Sequence, residues 1–399
     1  MDFSLSEEQL ALKASVLKFA KSELNDRVQE RDATGEFSWA GWKKCAEFGI
    51  QGMPIPKEYG GLDLDVVSCL ITMQALGYAC GDAGLLFSLN SHLWTCAIPL
   101  HQFGNERQRK HYLPRLCDGS IVGGHAMTEP GSGSDAFSLS TTAEKKGDRY
   151  ILNGSKVFIS NAPIADVLLI FALTDRSKGF AGVTGFIVEK GTPGFTVSKP
   201  LHKMGLRTSP TGAVVLEDCE VPEENRLGRE GAGSAIFNAE MEWERSCLFA
   251  THLGAMERLL DTCVEYSKDR KQFGQSISKF QAVAHKLADM RVRIELANLI
   301  LHKVAWLKSQ GKRAGLESAI AKLFVSESYV QSSLDAIQVH GGYGYMAEFN
   351  VERDLRDAIG GKIYSGTSEI QRNIIASWLD LWRPPGGLAP CTAICCITC

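Results

Sequence analysis

The sequence predicts an α+β chain, mostly helical, in three consecutive parts: an N-terminal α-helical domain, a middle antiparallel β-barrel domain and a C-terminal four-helix bundle. Three observations carry this. Before about residue 123, apolar residues recur at helical spacing between Gly- and Pro-containing breaks. From there to about 232 the apolar runs are short, with turns between them too brief to hold ten-residue helices. Beyond 233, long helical stretches are joined by short links, as in an antiparallel bundle. The 399 residues allow two or three domains. The expected boundaries are 1–123, 124–232 and 233–383, with a Pro/Gly/Cys tail, 384–399, outside the fold.

In chain order, Ser4-x-x-Glu7 reads as a capping box, and Leu10, Leu12, Val16, Phe19 and Ala20 follow at helical spacing. Further helices are expected over Trp39–Phe48, 66–80 and 85–103, punctuated by Pro54-Ile55-Pro56 and Tyr59-Gly60-Gly61. Residues 149–159 read as two short strands around Asn153-Gly154, a strong local hairpin signal. Strands follow at Val167–Leu173, 183–188, 195–198 and 213–216. Long helices are then expected over 235–268, 279–310 and 316–340, and a shorter one over 368–381.

Composition removes several function classes. With 43 Lys+Arg against 46 Asp+Glu, no basic excess is left to neutralise nucleic-acid phosphates. At 44% apolar and 22% charged, the chain can bury a core and does not have a disordered composition. No apolar run approaches the ~20 residues needed to span a bilayer. The start, Met1 to Glu8, is acidic where a targeting segment needs base; a cytoplasmic protein is expected, or the mature form of a mitochondrial matrix one. Eight of the twelve cysteines are scattered singly from Cys45 to Cys263 and read as buried thiols. The other four, Cys391, Cys395, Cys396 and Cys399, form a C-x3-C-C-x2-C cluster in the tail; with no His or carboxylate beside it, no metal site is expected.

No H-E-x-x-H, G-x-S-x-G or complete P-loop is present, and the Gly-rich stretches do not open βαβ units, which argues against a nicotinamide enzyme. Three segments stand out. Met127-Thr128-Glu129-Pro130-Gly131-Ser132-Gly133-Ser134-Asp135 offers hydroxyls and small residues that let a ligand near the backbone. Asp269-Arg270-Lys271-Gln272-Phe273-Gly274 breaks two long helices, with an Arg able to hold pyrophosphate. Tyr364-Ser365-Gly366-Thr367-Ser368-Glu369-Ile370-Gln371-Arg372 is a small-residue loop entering a helix. Taken singly, these are a polar turn, a basic helix end and an N-cap.

Together, in this order and spacing, they resemble the acyl-CoA dehydrogenase family, whose signatures are T-E-P-x-x-G-S-D, D-R-x-x-F-G-x and Y-x-G-T-S-E-I-Q-R. His340-Gly341-Gly342-Tyr343-Gly344-Tyr345 and Val351-Glu352-Arg353-Asp354-x-Arg356-Asp357 extend the resemblance, which covers residues 1–383. It implies FAD, a helix–barrel–helix fold and a homo-oligomer, usually a tetramer, with a dimer as the alternative. By position, Thr128 and Ser160 would bond the flavin ring and Phe158 would lie against its face; Met127 and Ser134 would line the flavin and thioester region. Arg270 and Phe273 would reach the FAD of a neighbouring subunit, with Gln338 and Gly342 contributing from the bundle and Thr367 and Glu369 from the last loop. Relatives often carry Thr at the position of Gln272 and Gln at that of Glu369.

The implied chemistry is α,β-dehydrogenation of an acyl thioester, on CoA or a carrier protein. A carboxylate takes the α-proton, the β-hydride passes to flavin N5, and an electron-transfer flavoprotein accepts the electrons. Most relatives keep that carboxylate in Y-E-G-T; here Ser365 replaces it, and serine alone is no base. Glu240 and Glu244 share one helix face, with Glu242 pointing away. Isovaleryl-CoA and long-chain acyl-CoA dehydrogenases place their base on this helix directly before an Arg, and Glu244-Arg245 is similar. Glu244 is therefore the expected base and Arg245 an orienting residue, while Tyr364, Ser365 and Gly366 contact the thioester, the Ser365 N–H retaining the oxyanion role. A flavin oxidase on the same fold, and a non-catalytic flavin- or acyl-binding relative, are the alternative readings.

Overall fold

A computed structural model of the chain describes residues 4–381. The N-terminal part is helical: α1 (Glu7–Glu23), α2 (Val28–Thr34), α3 (Trp39–Phe48), α4 (Val66–Ala79), α5 (Ala83–His92), α6 (Ile98–Phe103) and α7 (Glu106–Cys117). The first helix is capped two residues later than the Ser4 reading. Ser6 is the N-cap, and its side chain and that of Gln9 satisfy each other's backbone N–H. This register places Glu7 and Glu8 in the first turn, where the helix dipole favours them. A π-helical segment, Leu93–Ala97, joins α5 to α6, so the expected 85–103 helix is continuous but locally over-wide.

The middle part is a sheet of eight strands: β1 (Gly123–Ala126), β2 (Thr142–Lys146), β3 (Arg149–Ser160), β4 (Val167–Leu173), β5 (Val183–Glu189), β6 (Phe195–Val197), β7 (Thr211–Pro222) and β8 (Arg226–Leu227). Their order is β6-β7-β3-β2-β4-β5-β8, with β1 parallel to β4. The expected closed barrel is not formed. The path ends on β6 and β8, three and two residues long and each paired to one neighbour, too short to close the sheet. The sheet instead wraps a core of its own, including Tyr150, Leu152, Ile170, Phe186 and Val214. Asn153-Gly154 is also not a turn. β3 runs straight through it, with a bulge opposite β7, and the Asn153 amide pairs with Asp218 across the strands (3.1 Å). The hairpin turn lies earlier, between Lys146 and Arg149.

The C-terminal part holds α8 (Gly233–Trp243), α9 (Phe249–Asp269), a small hairpin of β9 (Lys271–Gln272) and β10 (Gln275–Ser276), then α10 (Gln281–Ser309), α11 (Gly315–His340), α12 (Gly342–Tyr345), α13 (Val351–Gly361) and α14 (Ser368–Trp378). Helices α9, α10 and α11 pack on one another, and α14 packs on α11. The two helical parts are fused through α4 and α9. A side chain at Gly77 would strike the Thr251 carbonyl and one at Gly254 the Gln74 carbonyl, so only glycine allows this approach. The eight cysteines of the described residues are free and buried. The tail cysteines lie outside the described residues. Among the described residues, no helix is long and apolar enough to cross a membrane.

Candidate active site

The helix expected over 235–268 is interrupted where the chemistry was placed. Glu244 opens a π-helical turn, Glu244–Leu248, between α8 and α9, and its N–H reaches the carbonyls of both Glu240 and Met241. A π turn inserts one extra residue and re-aims the side chains around it. The π segment after α5 packs on α8, and Trp94 stacks on Trp243 with centroids 5.7 Å apart and planes 5° apart.

Glu244 is buried, and its Oε2 has no hydrogen-bond partner in the protein. Burial raises its proton affinity; His125, the nearby Ser365 hydroxyl, Arg245 and Lys322 all act against that rise. The Ser365 Oγ forms no completed hydrogen bond. One turn back, Glu240 is fully buried, and its Oε1 meets His125 Nδ1 at 2.7 Å. Burial pushes Glu240 up to about 7, His125 opposes this, and Glu244 adds to it. His125 comes from β1 and lies nearly parallel to the Phe237 ring at 6.1 Å; burial works against its charge, yet Glu240 raises its proton affinity.

The Tyr364–Thr367 loop closes over Glu244. Ser365 (φ 56°) and Gly366 (φ 85°) are both left-handed, which turns their carbonyls toward α8–α9 and α14. The Ser365 carbonyl accepts from Arg245 Nε (3.1 Å) and Gln371 Nε2 (3.1 Å), and the Gly366 carbonyl accepts from Gln371 Nε2 (2.9 Å). Thr367 caps α14 by accepting from the Ile370 N–H. The Tyr364 hydroxyl and His252 Nε2 share a hydrogen bond of 2.7 Å, and burial holds His252 down at about 3, which keeps the ring neutral. Lys322, from α11, is fully buried with its Nζ 5.8 Å above the Phe249 ring and without a hydrogen bond.

The Thr128 loop is pinned from beneath. Glu129 is buried and accepts from the Ser140 N–H (2.6 Å), the Thr141 N–H (3.1 Å) and Lys156 Nζ (2.8 Å). Lys156 also donates to the Met127 carbonyl (3.1 Å). Burial works against the Glu129 charge, yet Lys156 and the other donors hold its pKa at about 2. Thr128 accepts the Val157 N–H (2.9 Å), tying this loop to β3. A bulge between Lys156 and Ile159 then throws Phe158 outward at φ 60°, 68% exposed, with Ser160 at the strand end. Met127 is buried and Ser134 exposed on the same loop. An exposed aromatic face flanked by the Thr128 and Ser160 hydroxyls suits a planar, hydrogen-bonding ring such as isoalloxazine.

The remaining FAD candidates form a second group. Arg270 and Phe273 stand on the β9–β10 hairpin; the Arg270 guanidinium lies 5.6 Å from the Tyr343 ring centre, beside Gly342. Phe273 is 94% exposed, Gln338 and Gly342 are exposed on the same end of the bundle, and Glu369 is exposed on the first turn of α14. Arg270 follows the far end of α9, roughly 35–40 Å from Glu244 at about 1.5 Å per residue. The structure thus gathers Glu244, Arg245, Tyr364, Ser365 and Gly366 into one place, and sets Arg270 and Phe273 apart from it. His125, Lys156, His252 and Lys322 carry no signal by spacing, whereas Glu129 lies within T-E-P-x-x-G-S-D and Gln371 within Y-x-G-T-S-E-I-Q-R.

The chain matches three family descriptions: acyl-CoA dehydrogenase, N-terminal domain, over 6–120; middle domain, over 124–219; and C-terminal domain, over 231–379. It is 42% identical over 381 residues to an L-prolyl-[peptidyl-carrier protein] dehydrogenase of Serratia sp., covering 96% of this chain and 99% of that one. The crystal structure of the prolyl acyl carrier protein oxidase AnaB superposes with a TM-score of 0.93 at 49% identity, covering 94% of this chain and 100% of that chain. PigA with FAD and proline superposes at 0.94 with 41% identity, covering 96% of this chain and 100% of that one. These likenesses bear out the expected FAD-dependent oxidoreductase of acyl thioesters. On all three domains, the chain belongs to the acyl-CoA dehydrogenase family.

Proposed function

We propose that this protein dehydrogenates an amino-acyl thioester of the prolyl class held on a carrier protein, with Glu244 as the α-proton base. The observation that carries the reading is the buried Glu244 carboxylate, one oxygen unpartnered, at a π turn beneath the Ser365–Gly366 loop. The prolyl and carrier-protein assignments draw on the relatives named above, which match almost end to end.

Each residue has a physical part. Glu244 lacks a donor on Oε2 and is desolvated, so it holds a proton more strongly than an exposed carboxylate, as a base for a weakly acidic C–H requires. Arg245 and Gln371 hold the Ser365 and Gly366 carbonyls, leaving the Ser365 N–H without a partner among the described residues and free to donate to the thioester oxygen. Thr128, Ser160 and Phe158 would hold the ring of FAD, which when bound supplies the acceptor of the β-hydride. Arg270 and Phe273 stand too far from Glu244 to serve the same ring within one chain; a homo-oligomer, a tetramer in the first instance, lets a neighbouring copy supply them.

An electron-transfer flavoprotein is the proposed acceptor. Oxygen is the second reading, because the relative at 49% identity is named an oxidase. Substrate class and reactivity with oxygen are read in one experiment. Purified protein carrying FAD is mixed anaerobically with L-prolyl carrier protein and, separately, with straight, branched and dicarboxylic acyl-CoAs, and its flavin absorbance is followed. Bleaching by the prolyl thioester ahead of the CoA panel is expected; bleaching only by acyl-CoAs, or by none of the panel, contradicts the reading. Stoichiometric peroxide on admitting air would favour the oxidase.

A further inference from the structure

Two carboxylates buried one turn apart are ordinarily an unfavourable arrangement, and Glu240 on α8 and Glu244 on the π turn that follows it are such a pair. Each leaves its Oε2 without a hydrogen-bond donor, a costly state for a buried polar atom and more so for a charge. The cations near Glu244 are His125, Arg245 and Lys322, whereas the one acting on Glu240 is His125. The Nδ1 of His125 already faces Glu240 Oε1. The pair therefore presents two buried acceptors without a hydrogen-bond donor in the protein, and the Glu240 one lacks the further cations that stand near Glu244. A hydrocarbon acyl chain offers such an oxygen only C–H groups. An N–H of an amino-acyl group offers the missing donor and, when protonated, the missing charge.

We infer that Glu240, oriented by His125, forms with Glu244 a subsite that binds the nitrogen of an amino-acyl substrate and so selects it over the carbocyclic or aliphatic acyl group of equal size. This rests on the amino-acyl reading above and adds the residue that discriminates. His125 is a positioning residue; its ring is stacked on Phe237 and edge-on to Phe171, and its Nδ1 fixes which oxygen of Glu240 is left open.

The test compares two thioesters on one carrier protein, L-prolyl and cyclopentanecarbonyl, which differ by NH against CH2. The quantity read is the ratio of their kcat/KM for flavin reduction. In E240Q, an isosteric change, the prolyl-to-carbocycle ratio is expected to fall at least about 10-fold, the range of a charged hydrogen bond. His125→Phe, which keeps a ring against Phe237 but frees Oε1, should lower the ratio in the same direction. A binding measurement stands independently of turnover: the preference for L-proline over cyclopentanecarboxylate, read from the perturbed flavin absorbance, should weaken in E240Q by a similar factor. An unchanged ratio and preference in E240Q overturn the subsite alone, provided the wild type prefers the prolyl thioester. A wild type that oxidises the carbocycle and not the prolyl thioester overturns the amino-acyl reading, and the subsite with it.

Discussion

At the scale of single residues, the chemistry depends on how a buried carboxylate is balanced. Burial raises the proton affinity of Glu244, and His125, Ser365, Arg245 and Lys322 draw it down again. Lys322 is itself pushed down to about 7 by burial and by Arg245, so it carries its charge below that pH. A base acts when deprotonated, and removing a neighbouring cation raises its pKa. Lys322→Met should therefore move the acid limb of the kcat/KM profile for flavin reduction to higher pH, and an unmoved limb would place Lys322 outside this electrostatic set. The sequence points to Glu244 as the proposed base because Ser365 removes the usual loop carboxylate and an Arg follows the alternative one. It does not point to His125 or Lys322. The His125–Glu240 contact spans 115 residues and joins β1, which pairs with β4, to α8.

At the scale of elements, the same contrast holds. Helices were legible where apolar spacing and caps agree, as in α3 and α14, while the π turn at Glu244 was not, since an inserted residue leaves the composition of the helix unchanged. The Asn153-Gly154 signal misled for a related reason. It reports local turn preference, whereas β7 pairs along the whole of β3 and absorbs the pair as a bulge. The Ser365–Gly366 loop depends on its backbone. Gly366 has φ 85°, and a side chain there would sit 2.7 Å from Gln371 Nε2, the donor that holds both loop carbonyls. Gly366→Ala should cost about 1–3 kcal/mol in denaturant unfolding and slow flavin reduction while FAD is retained. Wild-type rates in this variant would show that the loop geometry does not position the thioester.

At the scale of the whole molecule, α4 and α9 join the two helical parts through the Gly77–Gly254 approach, and the curled sheet is set against them so that β1, α8 and the last loop meet. The helix–sheet–helix order follows from the change in apolar period along the chain; that the sheet stays open follows from how short β6 and β8 are, which no period reveals. Phe273, 94% exposed at the tip of β9–β10, is a poor surface residue for an isolated chain and a good one for an assembly. Phe273→Asp should lower the oligomeric state in light scattering and reduce the FAD retained per chain together. Loss of neither would separate the hairpin from both assembly and cofactor. The central claim, that Glu244 takes the α-proton, is tested most directly by single-turnover flavin reduction of Glu244→Gln with its FAD content matched to the wild type. Reduction by the accepted thioester should be slower by about 1,000-fold or more, for loss of the base at unchanged shape. Reduction at the wild-type rate would contradict the account.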